Sequence, residues 1–190
     1  MVVLSCAIFT GCVNPFSTRE PEPPEQNSSN FIPATTAEIV FINLEFSIRD
    51  KNVENYIRSF VDTTRSERRF VFVPDQGVAG RNPRTFDNWG LGDERRYLTQ
   101  LFQAIPDDST RGLLLAEDDG NPGPNTATFI QSYELVARHT NPSESAPILV
   151  RGEARFFLEK NDTGDWAIYR WEDFSNGTDP TWSDLKAFFQ

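Results

Sequence analysis

Two hydrophobic periods alternate along this chain. From Thr35 to Phe60 the apolar positions Val40, Leu44 and Ile48 recur four apart, and Val53, Tyr56, Ile57 and Phe60 carry the same face onward. The stretch also alternates, through Val40, Ile42, Leu44, Phe46 and Ile48, as a strand would. Thr35-Thr36-Ala37-Glu38 tips the reading to a helix, because a Ser/Thr-x-x-Glu box satisfies free N–H groups at a helix start. A bend is expected at Asp50-Lys51-Asn52, where Asn tolerates helix-ending geometry. Arg69 to Pro74 reads as a strand ended by proline. Residues 75–92, with Gly77, Gly80, Pro83, Gly90 and Gly92, read as a loop. Asp93 to Ile105 reads as a helix with Tyr97, Leu98, Leu101 and Phe102 on one face.

Beyond Pro106 the period becomes two. Leu113 to Ala116 is expected as a short strand, and residues 117–125 as a loop. Thr126 to Thr140 is a long strand, with Phe129, Tyr133, Leu135 and Ala137 on one side. Ile148 to Glu159 sets Val150, Ala154, Phe156 and Leu158 against Arg151, Glu153, Arg155 and Glu159, the pattern of a half-buried strand. The charged side reads as a solvated face with cross-strand pairs. Asn161-Asp162-Thr163-Gly164 is a turn, and Trp166 to Trp171 the returning strand. Asp179-Pro180 reads as an N-cap and first-turn proline, opening a helix through Phe189.

The N-terminus follows neither period. An apolar run ends in Phe9-Thr10-Gly11-Cys12, and a polar Pro/Glu-rich spacer follows, with Pro15, Pro21, Glu22, Pro23 and Pro24. This resembles a bacterial lipoprotein export signal. The resemblance implies that residues 1–11 are signal, that Cys12 is lipidated, and that 12–35 form a flexible tether. The run lacks the basic n-region of export signals, so a start upstream of Met1 is expected. A mature chain beginning at Cys12 would hold no free thiol; a Cys6–Cys12 bridge is the other arrangement the two cysteines allow. Val13 after the cysteine implies, by the same resemblance, the periplasmic side of the outer membrane.

Net charge of −10 argues against nucleic acid, whose phosphates need a basic face. The oxygen-rich stretches at Glu117 to Asn121 and Asp162 to Asp165 lack calcium-loop spacing and read as turns, so no metal is expected. Neither a nucleophile elbow nor a phosphate-cradling glycine loop is present, and no cofactor is expected. Glu172 and Asp173 are adjacent and point to opposite faces of their strand. His139 is the single histidine and the weak candidate for acid–base work, expected at a strand end on the rim. The aromatic supply either fills the core or lines an apolar cavity. The candidate pocket-lining residues are Tyr133, Phe129, Trp89, Tyr97, Phe156 and Trp171.

The element order, with Lys51-Asn52-Val53-Glu54-Asn55-Tyr56 after the bend and Gly164-Asp165-Trp166-Ala167-Ile168-Tyr169-Arg170-Trp171-Glu172-Asp173 at the end, resembles the NTF2-like (cystatin-like) superfamily. The resemblance covers residues 36–190. It implies an α+β fold in which a curved antiparallel sheet wraps around N-terminal helices to form a cone with a pocket. It also implies a non-catalytic module that binds a protein partner or a small apolar ligand, with a homodimer through the outer sheet face in reach. The alternative it implies is a pocket-based isomerase or dehydratase, which would need an inward-facing acid or base.

Overall fold

The computed structural model describes residues 30–143 and 146–190. The long helical pattern forms α1 (Ala37–Arg49) and α2 (Val53–Ile57). Helix wins over strand for α1: Val40, Phe41, Leu44 and Ile48 are buried, while Ile42 faces outward. The bend lies where expected, but its left-handed residue is Lys51, with φ 53°. The Lys51 ammonium stabilises it by donating to the Ile105 carbonyl at 2.7 Å and to Asp107 at 2.8 Å. Asn52 caps α2 by accepting from the Asn55 N–H.

Then follow β1 (Val71–Val73), α3 (Gln76–Arg81) and α4 (Leu91–Ala104). Helix α3 corrects the reading of 75–92 as uninterrupted loop. It is a single short segment capped by Asp75 and buries Val78 alone, so it leaves no hydrophobic period to detect. The sheet continues with β2 (Arg111–Pro122), β3 (Thr126–Ala137), β4 (Leu149–Lys160) and β5 (Trp166–Phe174), and α5 (Trp182–Phe188) closes the chain. Strand β2 is three times the expected length. Its second half, read as a loop, pairs with β3 past a bulge between Glu117 and Asp119. Backbone pairing recruits those polar residues where no core face imposes alternation. Helix α5 is capped by Thr181 rather than Asp179, with Asp184 accepting from the Thr181 N–H at 2.9 Å.

Strand order is β1-β5-β4-β3-β2, with β1 parallel to β5 and every other pair antiparallel. The open sheet curves around the helices. Phe41 of α1 packs edge-on against Phe129 of β3 at 5.2 Å and tilted against Phe156 of β4 at 5.3 Å. The outward sheet face carries the cross-strand pairs Arg151–Glu134 and Arg155–Glu172. Residues 30–35, expected to be the end of the tether, are instead tied to the domain. Asn43 of α1 exchanges two hydrogen bonds with the backbone of Ile32, and the Trp166 N–H donates to the Ala34 carbonyl. The signal, Cys12 and most of the tether lie outside the described residues. Among the described residues no helix is long and apolar enough to cross a membrane.

Candidate functional site

Glu94 and Lys186 meet inside the cone, and both are fully buried. Glu94 lies on α4, one turn before Tyr97 and Leu98, on the face that packs inward. Its Oε1 accepts from the Trp89 indole N–H at 2.8 Å and from the Lys186 ammonium; its Oε2 accepts from the Tyr56 hydroxyl at 3.1 Å. Lys186 enters from α5. Its Nζ lies 3.5 Å from the Phe72 ring centroid and 3.8 Å from that of Trp171, with Trp89 and Tyr97 each at 5.7 Å. A cation over aromatic faces in a desolvated site is attracted by the ring quadrupoles. Burial pulls the Lys186 ammonium down to about 8, with Glu94 opposing that shift. Burial and the neighbouring Glu94 carboxylate hold the Tyr56 and Tyr97 phenols well above their ordinary range.

A second buried carboxylate, Asp173, sits at the inward end of β5. It accepts from the Tyr133 hydroxyl at 2.7 Å, from the Ser183 N–H at 2.7 Å and from the Ser183 hydroxyl. Burial raises its pKa, and the Ser183 and Tyr133 hydrogen bonds oppose the rise. Tyr133 in turn accepts from the Trp182 N–H, and the Trp182 indole donates to Tyr97. Tyr133 fits because Gly152 lies opposite it across the β3–β4 ladder. A Cβ on Gly152 would come within 2.5 Å of the Tyr133 hydroxyl and 2.6 Å of the Phe174 carbonyl. Thus α5 places Ser183 on one interior carboxylate and Lys186 on the other. Chemically this is a closed interior in which Glu94, Lys186, Asp173 and Tyr133 are each engaged by a neighbour, while the buried Trp171 indole N–H has no hydrogen-bond partner among the described residues.

Of the residues singled out from the sequence, Tyr133, Phe129, Tyr97, Phe156 and Trp171 are packed in the core. Trp89 is buried too, but one side of it borders an open groove. His139 follows β3 and stays half-buried at the rim. Its Nδ1 accepts from the Asn141 N–H, which leaves Nε2 to donate to the Pro147 carbonyl at 3.1 Å. Both ring nitrogens are therefore engaged with backbone, and the ring packs edge-on against Phe189. No carboxylate orients it among these contacts, so it lacks the partner a general base needs. Among the described residues no three His, Cys, Asp or Glu side chains cluster as a metal site would require.

Glu94 and Lys186 were missed by sequence reasoning, although each carries a signal; Asp173 was read only as pointing to the face opposite Glu172, and that face is the interior one. Glu94 precedes Tyr97, Leu98 and Leu101 by three, four and seven residues, and Lys186 follows Trp182 by four. A charge at a core position of an amphipathic pattern marks a buried polar site.

The open groove, about 640 Å³, lies at the β1 edge of the sheet. Its lining is aromatic, but unequally so: Phe86 is half-buried, whereas Phe70, Phe72 and Trp89 are at most 5% exposed, with Val61 and Leu91 beside them. Val71 is 43% exposed there. The Phe86 and Trp89 rings are 5.2 Å apart, and Phe72 lies within 6.0 Å of both. A second cavity, about 570 Å³, shares Val61, Asp62 and Leu91 with the groove and runs under Phe31 and Arg58.

Neither a family model nor a curated protein matches this sequence. Solved structures do. A proposed aromatic ring hydroxylase from Novosphingobium aromaticivorans superposes with a TM-score of 0.54 at 14% identity, covering 78% of this chain and 92% of that one. A proposed dehydratase of the NTF2-like family from Streptomyces avermitilis gives 0.52 at 8% identity, covering 76% and 96%. An NTF2-like protein with a cystatin-like fold, also from Novosphingobium aromaticivorans, gives 0.51 at 11%, covering 73% and 79%. At such identities the likeness establishes the fold alone, and that fold is the α+β NTF2-like, cystatin-like one expected from the sequence.

Proposed function

We propose that this chain is a non-catalytic, lipid-anchored protein of the cell envelope whose NTF2-like domain binds a small apolar ligand in the β1-edge groove. The observation that carries this reading is the division between a filled interior and an open aromatic groove outside it. The groove's volume falls within the range of about 300–1,000 Å³ usual for small-molecule sites. Its wall is aromatic, and Asp62, Asn88 and Arg69 supply a few polar groups at its border. Anchoring is supported by the apolar run ending at Cys12 and the Pro/Glu-rich spacer after it.

The competing reading, an isomerase or dehydratase working inside the cone, needs an acid or base free to meet a substrate. Glu94, Asp173, Tyr133 and Lys186 are instead engaged with one another and with α5. Fluorescence titration with 8-anilinonaphthalene-1-sulfonate tests the groove. Saturable enhancement is expected for the native protein, and its loss in Phe86→Asp and Val71→Asp variants that keep a native melt. No saturable binding, or binding indifferent to both substitutions, contradicts the reading. For the anchor, Cys12→Ala is expected to move the protein from the membrane fraction to the soluble one; an unchanged distribution removes the lipidation claim.

A further inference from the structure

The walls around the Lys186 ammonium are built without the helix that carries it. Phe72 comes from β1, Trp89 from the segment before α4, Glu94 and Tyr97 from α4, and Trp171 from β5. Glu94 is itself held in place by the Trp89 indole and the Tyr56 hydroxyl, neither of which belongs to α5. The main body of the fold therefore supplies a carboxylate framed by aromatic faces, and α5 supplies only the cation. That is a receptor arrangement whose ligand arrives on the same chain. We propose that the cone interior is a recognition site for a primary alkylammonium group, and that Lys186 is its occupant supplied in cis.

Three features specify the ligand class. Glu94 is the carboxylate that pairs directly with the ammonium, and Asp173 adds negative charge at longer range, so the site favours a cation. Rings with centroids 3.5 and 3.8 Å from the nitrogen favour a cation but leave no room for N-methyl groups, so a primary ammonium fits and a quaternary one does not. Lys186 is fully buried, so its unbranched alkyl stem is held out of water together with the ammonium. Phe72 and Trp89 wall the ammonium on one side and the open groove on the other, so one layer of side chains separates the site from solvent there. The other boundary is α5 itself. It joins β5 through residues 175–181, exposed up to Pro180 and buried at Thr181, and Arg151 ties this link to the sheet twice, its N–H donating to the Pro180 carbonyl at 2.9 Å and its guanidinium pairing with Asp179 at 3.5 Å. The inference does not depend on what the groove binds.

Truncating Lys186 to Ala removes the equivalent of n-propylammonium, which makes that ion the probe. Melting curves of the full chain would be recorded with n-propylammonium chloride, with n-propanol, and with tetramethylammonium chloride at matched ionic strength. Lys186→Ala is expected to gain melting temperature saturably with n-propylammonium and not with the other two. The native protein and Lys186→Met, whose sites are filled, are expected to stay unmoved. Lys186→Ala combined with Glu94→Gln is expected to lose the response. Should Lys186→Ala be unfolded alone, recovery of a cooperative melt in n-propylammonium supports the site equally. An equal gain in Lys186→Met, an equal gain with n-propanol, or no effect on Lys186→Ala in either state overturns it.

Discussion

Removing one charge of the Glu94–Lys186 pair leaves the other buried without a counter-ion, which costs far more than removing both. Lys186→Met is expected to lose about 3–5 kcal/mol, and Glu94→Gln combined with it to recover most of that loss. Urea melts of both single variants and the double variant measure this directly; single losses that simply add in the double variant would mean that the pair is not coupled. The lysine also sets a pH dependence. Its folded pKa of about 8 lies below the ordinary 10.5, so between those values the unfolded chain holds a proton that the folded chain has released. Stability therefore rises with pH across that window, by about 3 kcal/mol in all. Above about pH 10 the buried phenols of Tyr56, Tyr97 and Tyr133 reverse the trend, because the folded state keeps protons that the unfolded state gives up. Thermal melts from pH 7 to 11 should show this rise in the native protein and not in Lys186→Met. A native stability that falls steadily from pH 7 contradicts it. Gly152→Ala is expected to cost about 1–3 kcal/mol, since its Cβ would collide with the Tyr133 hydroxyl and with backbone. A neutral result in a denaturant melt would show that the strand shifts to accept it.

Elements differ in how far their sequences announce them. Helices α1 and α4 and strands β3 to β5 were legible because each has one face on the core, and burial imposes the period that reveals it. Helix α3 and the distal half of β2 were not: α3 buries Val78 alone and residues 119–122 of β2 bury no side chain, so caps and backbone pairing position them. The pocket aromatics were legible as apolar positions, but their destination was not. Whether a ring fills a core or lines a cavity depends on what enters opposite it, and here that is α5. The charged residues of the interior show the same limit, since Glu94 and Lys186 lie 92 residues apart and nothing local pairs them. Helix α5 acts as the stopper of the cone through Trp182, which is fully buried against Tyr133 and Trp171. Trp182→Ala is expected to cost about 3–5 kcal/mol and to speed amide exchange throughout α5. Exchange unchanged in α5 would mean that the helix is held by its polar contacts alone.

At the scale of the molecule, charge and anchoring point the same way. A chain of net charge −10 is a poor peripheral ligand for anionic lipid, so in the proposed function any membrane attachment falls to the lipid at Cys12. Residues 30–35 then deliver the chain onto α1 and β5, beside the cavity that adjoins the aromatic groove. In the proposed function the ligand thus sits outside a filled cone. Native mass spectrometry of the full chain, isolated gently from its own envelope, tests that placement most directly. A reproducible added mass of a few hundred daltons is expected, as for a small-molecule ligand, lost in Phe86→Asp and kept in Tyr133→Phe. An added mass that survives Phe86→Asp and disappears with Tyr133→Phe would put the ligand inside the cone and contradict it.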